Sequence, residues 1–486
     1  MNYRLVSRIL GFALQVEAIL MLPSMLIGFL TGDDGKAFLL SALITLCLGT
    51  GMTLFRKKGA KMQARDGFAT VGLAWIFLSA CGALPYVLSG VLPNFFDAFF
   101  ETVSGFTTTG ATVLTFVEGQ PRGIIFWRSQ TQWMGGLGIL VLALALIPKM
   151  GEGTVQLMRA ESPGPIKSKM TPRLGDTARI LYLIYIGLTV SQTVCLRLAG
   201  MDWYDAICHA MTTISTGGFS TRNASIAYYD SMAIDWIIII FTFLSGTNFS
   251  LLFLALKRQF KTVLRNEEFI AYTAMTVVAS ALIALDLIAH VGWQLNADTI
   301  TDSVFQVTTL MSTCGYMTYD YVLWPTFSQI VLMIVMLFGS CAGSTAGGVK
   351  QIRLVLLCKI FRRDLHRIMH PRQVTAIRCD GERVEDSVVT SIPLFFFAYI
   401  VLLTVGTLIT AWDGVDLSSA FGATLTCISN VGPGFGVFGP TGNFSILSNF
   451  TKACLSFIML LGRLEIMPLL LLLFPDLWKN SKNVRR

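Results

Sequence analysis

The chain of 486 residues is 53% hydrophobic and only 14% charged, where an average soluble protein carries about 25% charged residues, so an ordinary water-soluble domain is excluded. Its net charge of +8 comes from Lys and Arg gathered in short stretches between apolar runs, which fits membrane topology and sets nucleic-acid binding aside. The ten cysteines sit mostly inside apolar runs and form no C-x-x-C pair, so they read as small core residues and not as a disulfide framework or metal site.

Taken in chain order, ten windows of about 17 to 25 residues with few charges are long enough to cross a bilayer as helices. They cover 9–30, 37–55, 68–92, 129–148, 180–196, 236–256, 269–285, 327–349, 387–412 and 453–474. No small-residue cleavage site follows the first, and a second span comes at once, so the first is a retained anchor. Of the 37 Lys and Arg, 30 fall on one side of this arrangement: before residue 9 and in 56–65, 149–179, 257–265, 350–383 and 479–486. By the positive-inside rule that side, with both termini, is cytoplasmic.

The external connections between spans 3 and 4, 5 and 6, 7 and 8, and 9 and 10 are four copies of one segment: 97–110, 205–218, 302–315 and 419–432. Each holds a short apolar stretch, then hydroxyl residues, then Gly, with no gap between copies. Three open on Asp97, Asp205 and Asp302, and the fourth on Ser419. Position −3 before the glycine is Thr107, Ser215, Ser312 and Ser429, and position −2 is Thr108, Thr216, Thr313 and Asn430. A helix of about 10 residues spans only about 15 Å, so each segment enters from outside and turns back. Irregular backbone at that depth is tolerated only where protein buries it or water lines it. Four copies around one axis supply rings of carbonyls that replace the water shell of a dehydrated cation. The preceding helices add the negative ends of their dipoles.

The predicted fold is therefore an all-α polytopic membrane protein of ten transmembrane helices, the last eight forming four helix–pore-loop–helix repeats around a pseudo-fourfold pore. Its expected units are a two-helix extension (1–66), pore repeat 1 (67–149), a cytoplasmic linker (150–176), pore repeat 2 (177–266), pore repeat 3 with an intramembrane loop and a basic segment (267–385), and pore repeat 4 with the C-terminal tail (386–486). The filter residues expected to hold the cation are Thr108, Thr109, Gly110; Thr216, Gly217, Gly218; Thr313, Cys314, Gly315; and Asn430, Val431, Gly432.

The stretches GFTTTGATVL (105–114), ISTGGFST (214–221), SNVGPGFG (429–436), QWMGGLGILVLALALIP (132–148), AESPGPIKSKMTPR (160–173) and GSTAGGVKQIR (343–353) carry a family resemblance. Over nearly its whole length the chain resembles the Trk-type potassium-uptake membrane subunits of bacteria, the TrkH family of the Trk/Ktr/HKT superfamily. The two spans before the first repeat are similar to TrkH and unlike the shorter KtrB proteins. The resemblance implies a homodimer in the bacterial inner (plasma) membrane, each protomer with its own pore, gated by a cytosolic nucleotide-binding ring protein of TrkA type. The third loop, STCGYMTYDY (312–321), departs from the family pattern at Cys314 and Tyr316. In plant relatives a Ser at the first filter glycine goes with sodium preference, so four glycines imply potassium.

Span 8 contains Gly339, Gly343 and Gly347 at four-residue intervals, which on a plain membrane helix marks a close-packing face. The polar pair Ser344-Thr345 and the double glycine Gly347-Gly348 argue against a continuous helix. In the resembled family this stretch is a loop that blocks the pore below the filter, and Ala346 stands where a third glycine is common. The implied gate is Gly343, Ser344, Thr345, Ala346, Gly347 and Gly348. Arg463 and Glu465 lie deep in span 10, where a charge costs at least about 2.5 kcal/mol and faces a partner or cavity. They form either a structural ion pair or, as Arg463's place in the family implies, a bond from Arg463 to the gate.

The G-x-G-x-x-G at 434–439 lacks the strand a dinucleotide fingerprint needs, and Val349 breaks the phosphate-loop order after Gly348. His366 and His370 alone make a poor metal site. No catalytic constellation is found, so the chain is not read as an enzyme. The basic stretches 350–383 and 257–265 suit either an acidic or nucleotide-binding regulator or anionic lipid headgroups. Coupled symport of potassium with protons or sodium remains the alternative to channel-like conduction, although the repeats run parallel and isolated acids within the earlier spans are limited to Glu17 and Asp286.

Overall fold

In the computed structural model the described residues are 1–54, 64–138 and 174–478, apart from 372, 374 and 375. The basic stretch 56–63, the second half of the fourth predicted span with the following linker (139–173), and the tail 479–486 lie outside them. The protein is an all-helical membrane protein, and among the described residues its strands are one two-residue hairpin, β1 (Arg378–Cys379) with β2 (Glu382–Arg383).

Among the described residues, six stretches are helical, long and apolar enough to cross a membrane: Tyr3–Thr31, Gly35–Thr53, Arg65–Leu88, Ala178–Leu198, Glu267–Val291 and Asp386–Ala411. Their outward faces are apolar, as a lipid-facing surface requires: Leu394, Phe397, Val401, Val405 and Leu408 are all exposed along the last of them. The interior is instead rich in hydroxyls, with Thr102, Ser104, Thr212, Thr309 and Thr426 fully buried.

In the remaining predicted spans the helix ends or bends early among the described residues. The sixth is bent by 105° between α10 (Met232–Gly246) and α11 (Phe249–Leu256). The eighth ends as helix at Leu337, closing α15 (Thr326–Leu337), and helix resumes only at α16 (Gln351–Met369). The tenth ends at Arg463, the last residue of α19 (Asn449–Arg463), where Glu465 and Ile466 take positive φ of 55° and 68°. In the first repeat α7 (Arg122–Gly136) likewise ends at a glycine pair. All four breaks fall at or next to glycine, the residue that most readily leaves the helix. At Gly135 and Gly462 the glycine also permits close approach: a methyl group there would lie 1.8 Å from the Phe106 carbonyl oxygen and 2.1 Å from that of Ile428.

Four short helices precede the glycine loops: α6 (Phe95–Phe106), α9 (Trp203–Ile214), α14 (Ala297–Met311) and α18 (Leu417–Ser429). Each starts at an Asx side chain that accepts a backbone N–H of its first turn: Asn94 from Phe96, Asp202 from Tyr204, Asn296 from Thr299 and Asp416 from Ser419. At 12 to 15 residues they rise about 18 to 22 Å, too little to span. Each packs on the second helix of the repeat before it: α9 on α7, α14 on α10, α18 on α15, and α6 on α19. That cyclic order brings all four helix C-termini to one place.

Candidate functional site

The four loops share one backbone conformation. Thr108, Thr216, Thr313 and Asn430 have φ of 54°, 57°, 60° and 55°, a left-handed conformation that non-glycine residues seldom adopt. Two residues on, Gly110, Gly218, Gly315 and Gly432 have φ of 85°, 75°, 80° and 107°. The residue between them returns its N–H to a hydroxyl-bearing residue five positions back: Thr109 to Ser104, Gly217 to Thr212, Cys314 to Thr309 and Val431 to Thr426, at 2.7 to 3.0 Å. Conformational strain repeated four times in register requires surroundings that fix it.

The loops close on one another. A methyl group on Gly110 would lie 2.3 Å from the Gly217 carbonyl oxygen, one on Gly218 1.7 Å from that of Cys314, one on Gly315 2.1 Å from that of Val431, and one on Gly432 2.8 Å from that of Thr109. Each glycine thus abuts the residue before the next glycine, and the fourth loop returns to the first. All twelve residues singled out by repetition lie in this ring, and all but Gly110, Gly218 and Gly315 among them are fully or nearly fully buried. A vestibule opens on the side away from residues 338–350, lined by the four glycines with Phe219, Asn443 and others.

Side chains of the second helices brace the loops from behind. Gln132 donates Nε2–H to the Gly217 carbonyl at 2.6 Å and accepts the Phe219 N–H at 3.1 Å. Arg128 pairs through Nε with Glu101 at 2.6 Å, donates to the Ser220 carbonyl at 3.1 Å, and lies 3.6 Å over the Phe219 ring. Glu101 also accepts the Val113 N–H at 2.9 Å, so this buried pair has its remaining polar sites satisfied. In the third loop the Tyr316 hydroxyl bonds Thr212 of α9, which ties the departing residue into the neighbouring repeat. Cys314 is fully buried beside it. At the start of α18 the Ser418 and Ser419 hydroxyls hold Asp416 down to about 2.

Residues 338–350 are a loop and not a small-residue packing face. Gly343 and Gly348 take positive φ of 71° and 66°. The loop lies against the ring: Gly347 N–H donates to Thr313 Oγ1 at 2.7 Å, and a methyl on Gly347 would lie 2.5 Å from the Ser429 carbonyl oxygen. Thr345 Oγ1 donates to the Ile214 carbonyl at 3.0 Å, and Gly343 accepts the Phe249 N–H at 3.0 Å. Arg463 donates Nη1–H to the Thr345 carbonyl at 2.6 Å and Nη2–H to the carbonyls of Gly135 and Gly136 at 2.6 and 2.5 Å. Its guanidinium therefore links the loop to the C-terminal end of α7, where the helix dipole favours a cation.

Glu465 pairs with Arg353 of α16 and not with Arg463, because the chain turns sharply between them. Lys350, expected in the basic patch, is buried and donates to the Ala346 carbonyl within the loop. Neither Lys350 nor Glu268, which accepts two backbone N–H groups of this region, was singled out in the sequence. Glu268 reads there as one of two solvated acids opening a helix, and only its burial separates it from Glu267. The cluster Glu267, Cys379 and Asp380 is satisfied internally: Lys359 pairs with Glu267, Asp380 accepts the Glu267 N–H at 2.9 Å, and burial pushes the Cys379 thiol up to about 12.

A family profile described as TrkH, cation transport protein, matches residues 34–480. The Trk system potassium uptake protein TrkH of Escherichia coli K12 is 39% identical, over 99% of this chain and all of the relative. TrkG of the same organism is 35% identical over 99% of both chains. The crystal structure of the potassium transporter TrkH from Vibrio parahaemolyticus superposes with a TM-score of 0.87 at 36% identity, covering 99% of this chain and all of that one.

Proposed function

The chain belongs to the TrkH family of cation transport proteins, and on that premise we propose that it takes up potassium through a channel-like pore whose selectivity filter is the four-loop ring. It is a transporter and not an enzyme. The observation that carries the reading is the closure of the ring. Four strained turns of equal geometry, each glycine against the next loop's backbone, are the arrangement in which carbonyls can replace an ion's hydration shell from all sides. In this reading the last eight of ten spans form four repeats about a pseudo-fourfold axis, and the broken second helices leave room below the filter for the loop 343–348. The loop, latched by Arg463, is the gate.

The protein is a multi-pass membrane protein of the Trk type. We place it in the bacterial inner membrane with both termini cytoplasmic, as a homodimer whose gate answers to a cytosolic nucleotide-binding ring protein of TrkA type. The distribution of Lys and Arg supports this orientation.

Coupled symport is the second reading, and Glu17 is the observation that favours it. This fully buried carboxylic side chain has neither oxygen hydrogen-bonded among the described residues. It lies in α1 (Tyr3–Leu20), against Gly82, which itself meets Thr102 and Phe106 of the first short helix.

Rubidium, an anomalous scatterer that mimics potassium, tests the filter assignment. The strongest anomalous peaks should fall on the axis between the four glycines. Peaks elsewhere, with none in the ring, would remove it.

A further inference from the structure

The segment 343–348 is bracketed by two backbone N–H groups that share one carboxylate, which belongs to neither the filter nor the latch. Glu268 lies in the first turn of α13 (Glu267–Asp286) and is 5% exposed. Its Oε1 accepts the Ala342 N–H at 2.6 Å and the Ile352 N–H at 3.1 Å. Ala342 precedes the segment 343–348, and Ile352 lies in the first turn of α16, just after it. A single oxygen atom therefore joins the residue just before segment 343–348 to the first turn of the helix that follows it.

The chemistry of that contact is specific. The first N–H groups of a helix need partners outside its own ladder, and here the Gln351 N–H goes to the Ser340 carbonyl and the Arg353 N–H to the Lys350 carbonyl, while the Lys350 side chain, a donor only, cannot cap the Ile352 N–H between them. A carboxylate from another helix supplies that acceptor, where the helix dipole favours negative charge. The turn that carries Glu268 is itself pinned. Asn266 accepts the Phe269 N–H at 2.9 Å, and Asp380 of the hairpin accepts the Glu267 N–H at 2.9 Å and the Asn266 Nδ2–H at 2.7 Å. A rigid support of this kind holds a contact in one geometry.

We propose that Glu268 is a positioning residue that clasps the gate loop closed from its two ends, so that gate opening requires Ala342 and Ile352 to separate about that carboxylate. The inference rests on the reading of residues 343–348 as the gate. The clasp and the Arg463 latch act on different parts of one loop: Arg463 holds its middle at Thr345, and Glu268 holds its ends.

The test uses the full-length protein in liposomes with no regulator, reading resting potassium flux together with the alkylation rate of Cys341 by peptide mapping. Cys341 is fully buried in the loop, and Cys314 and Cys427 are fully buried in the filter and in α18. Glu268→Ala should raise resting flux about tenfold, the scale set by losing charge-assisted hydrogen bonds. Cys341 should become reactive while Cys314 and Cys427 stay protected. Glu268→Gln, which keeps an acceptor oxygen, should restore most of the closure. Should Glu268→Ala fail to assemble, Glu268→Asp is read in the same way, since the shorter side chain cannot span both N–H groups. Flux unchanged in Glu268→Ala, while shortening residues 344–348 does raise it, overturns the clasp and leaves the gate. Raised flux with Cys341 still protected also overturns the clasp. If shortening the loop leaves flux unchanged, the gate reading itself fails and the clasp with it.

Discussion

The loops we propose as the filter and the loop we propose as the gate are built from the same residues, glycine, serine and threonine, yet they are held in opposite ways. Each filter loop is fixed by its own short helix and by its neighbour's backbone, four times over, with bracing groups such as Gln132 and the Arg128–Glu101 pair behind it. The loop proposed as gate lies in the third repeat and is held by a few contacts from other elements, among them Thr313, Arg463 and Glu268, together with Lys350 at its own end. The first arrangement suits a structure that must keep its geometry while ions pass. The second suits one that must let go when a few contacts are lost, because a segment opens at a cost set by the bonds that hold it.

The largest effect is expected where the ring is tightest. Gly218→Ala puts a methyl 1.7 Å from the Cys314 carbonyl oxygen, so the loops cannot close as they are. Overpacking of this kind costs about 1 to 3 kcal/mol, and potassium uptake should fall about tenfold or more. Gly187→Ala, with open space around it, is the control and should leave uptake unchanged. Equal uptake by the two variants would mean that the ring is not where ions pass. Gly110→Ser, beside the Gly217 carbonyl, should retain flux but lose discrimination against sodium, read by competing the two ions in the same uptake assay.

Next in size are the latches. Shortening residues 344–348 should raise resting flux, and Arg463→Ala should raise it about tenfold, since a charge-assisted hydrogen bond is worth roughly 1.5 to 3 kcal/mol. The two changes should not add when combined, because both release one loop. Simple additivity would separate Arg463 from the gate. Thr313→Val keeps the β-branched shape and removes the acceptor for the Gly347 N–H. An increase of about threefold is expected, the scale of a neutral hydrogen bond, and unchanged resting flux would show that filter and gate are not tied at Thr313.

A separate effect, on attachment and not on flux, concerns the basic face of α16. Neutralising Arg362, Arg363 and Arg367 should weaken attachment of a cytosolic subunit by about 1 kcal/mol per charge at most. Co-purification that survives the triple change would remove this face from regulator docking. Lys350 does not belong to that set, because it is buried in the gate loop.

The same contrast governs what could be read from the sequence. The ring of loops was legible because it recurs: four segments of equal length, with glycine and hydroxyls at fixed offsets, reveal a shared geometry that no single copy would. The breaks at Gly246 and Gly462 were not legible, since each lies in an apolar run whose composition suits a continuous helix. Only contact with a neighbouring chain segment, such as Gly462 against Ile428, makes the break necessary. The gate's fastenings were partly legible. Arg463 stands out as a charge in an apolar run, whereas Glu268 sits at a span's edge beside Glu267 and resembles an ordinary helix start. Lys350 reads with its basic neighbours, because the sequence does not show that the chain folds back over it. Departures in the third loop also acquire a reason in three dimensions, as Tyr316 reaches across to Thr212.

The most direct measurement is the reversal potential of the purified protein in a planar bilayer, with potassium on one side, sodium on the other, and no pH gradient. A ring of four equivalent loops that conducts without a coupled ion predicts a steady current that reverses far toward the potassium equilibrium potential, and that shifts toward zero in Gly110→Ser. No current until a proton gradient is imposed, or a reversal potential that Gly110→Ser leaves unchanged, would contradict the account.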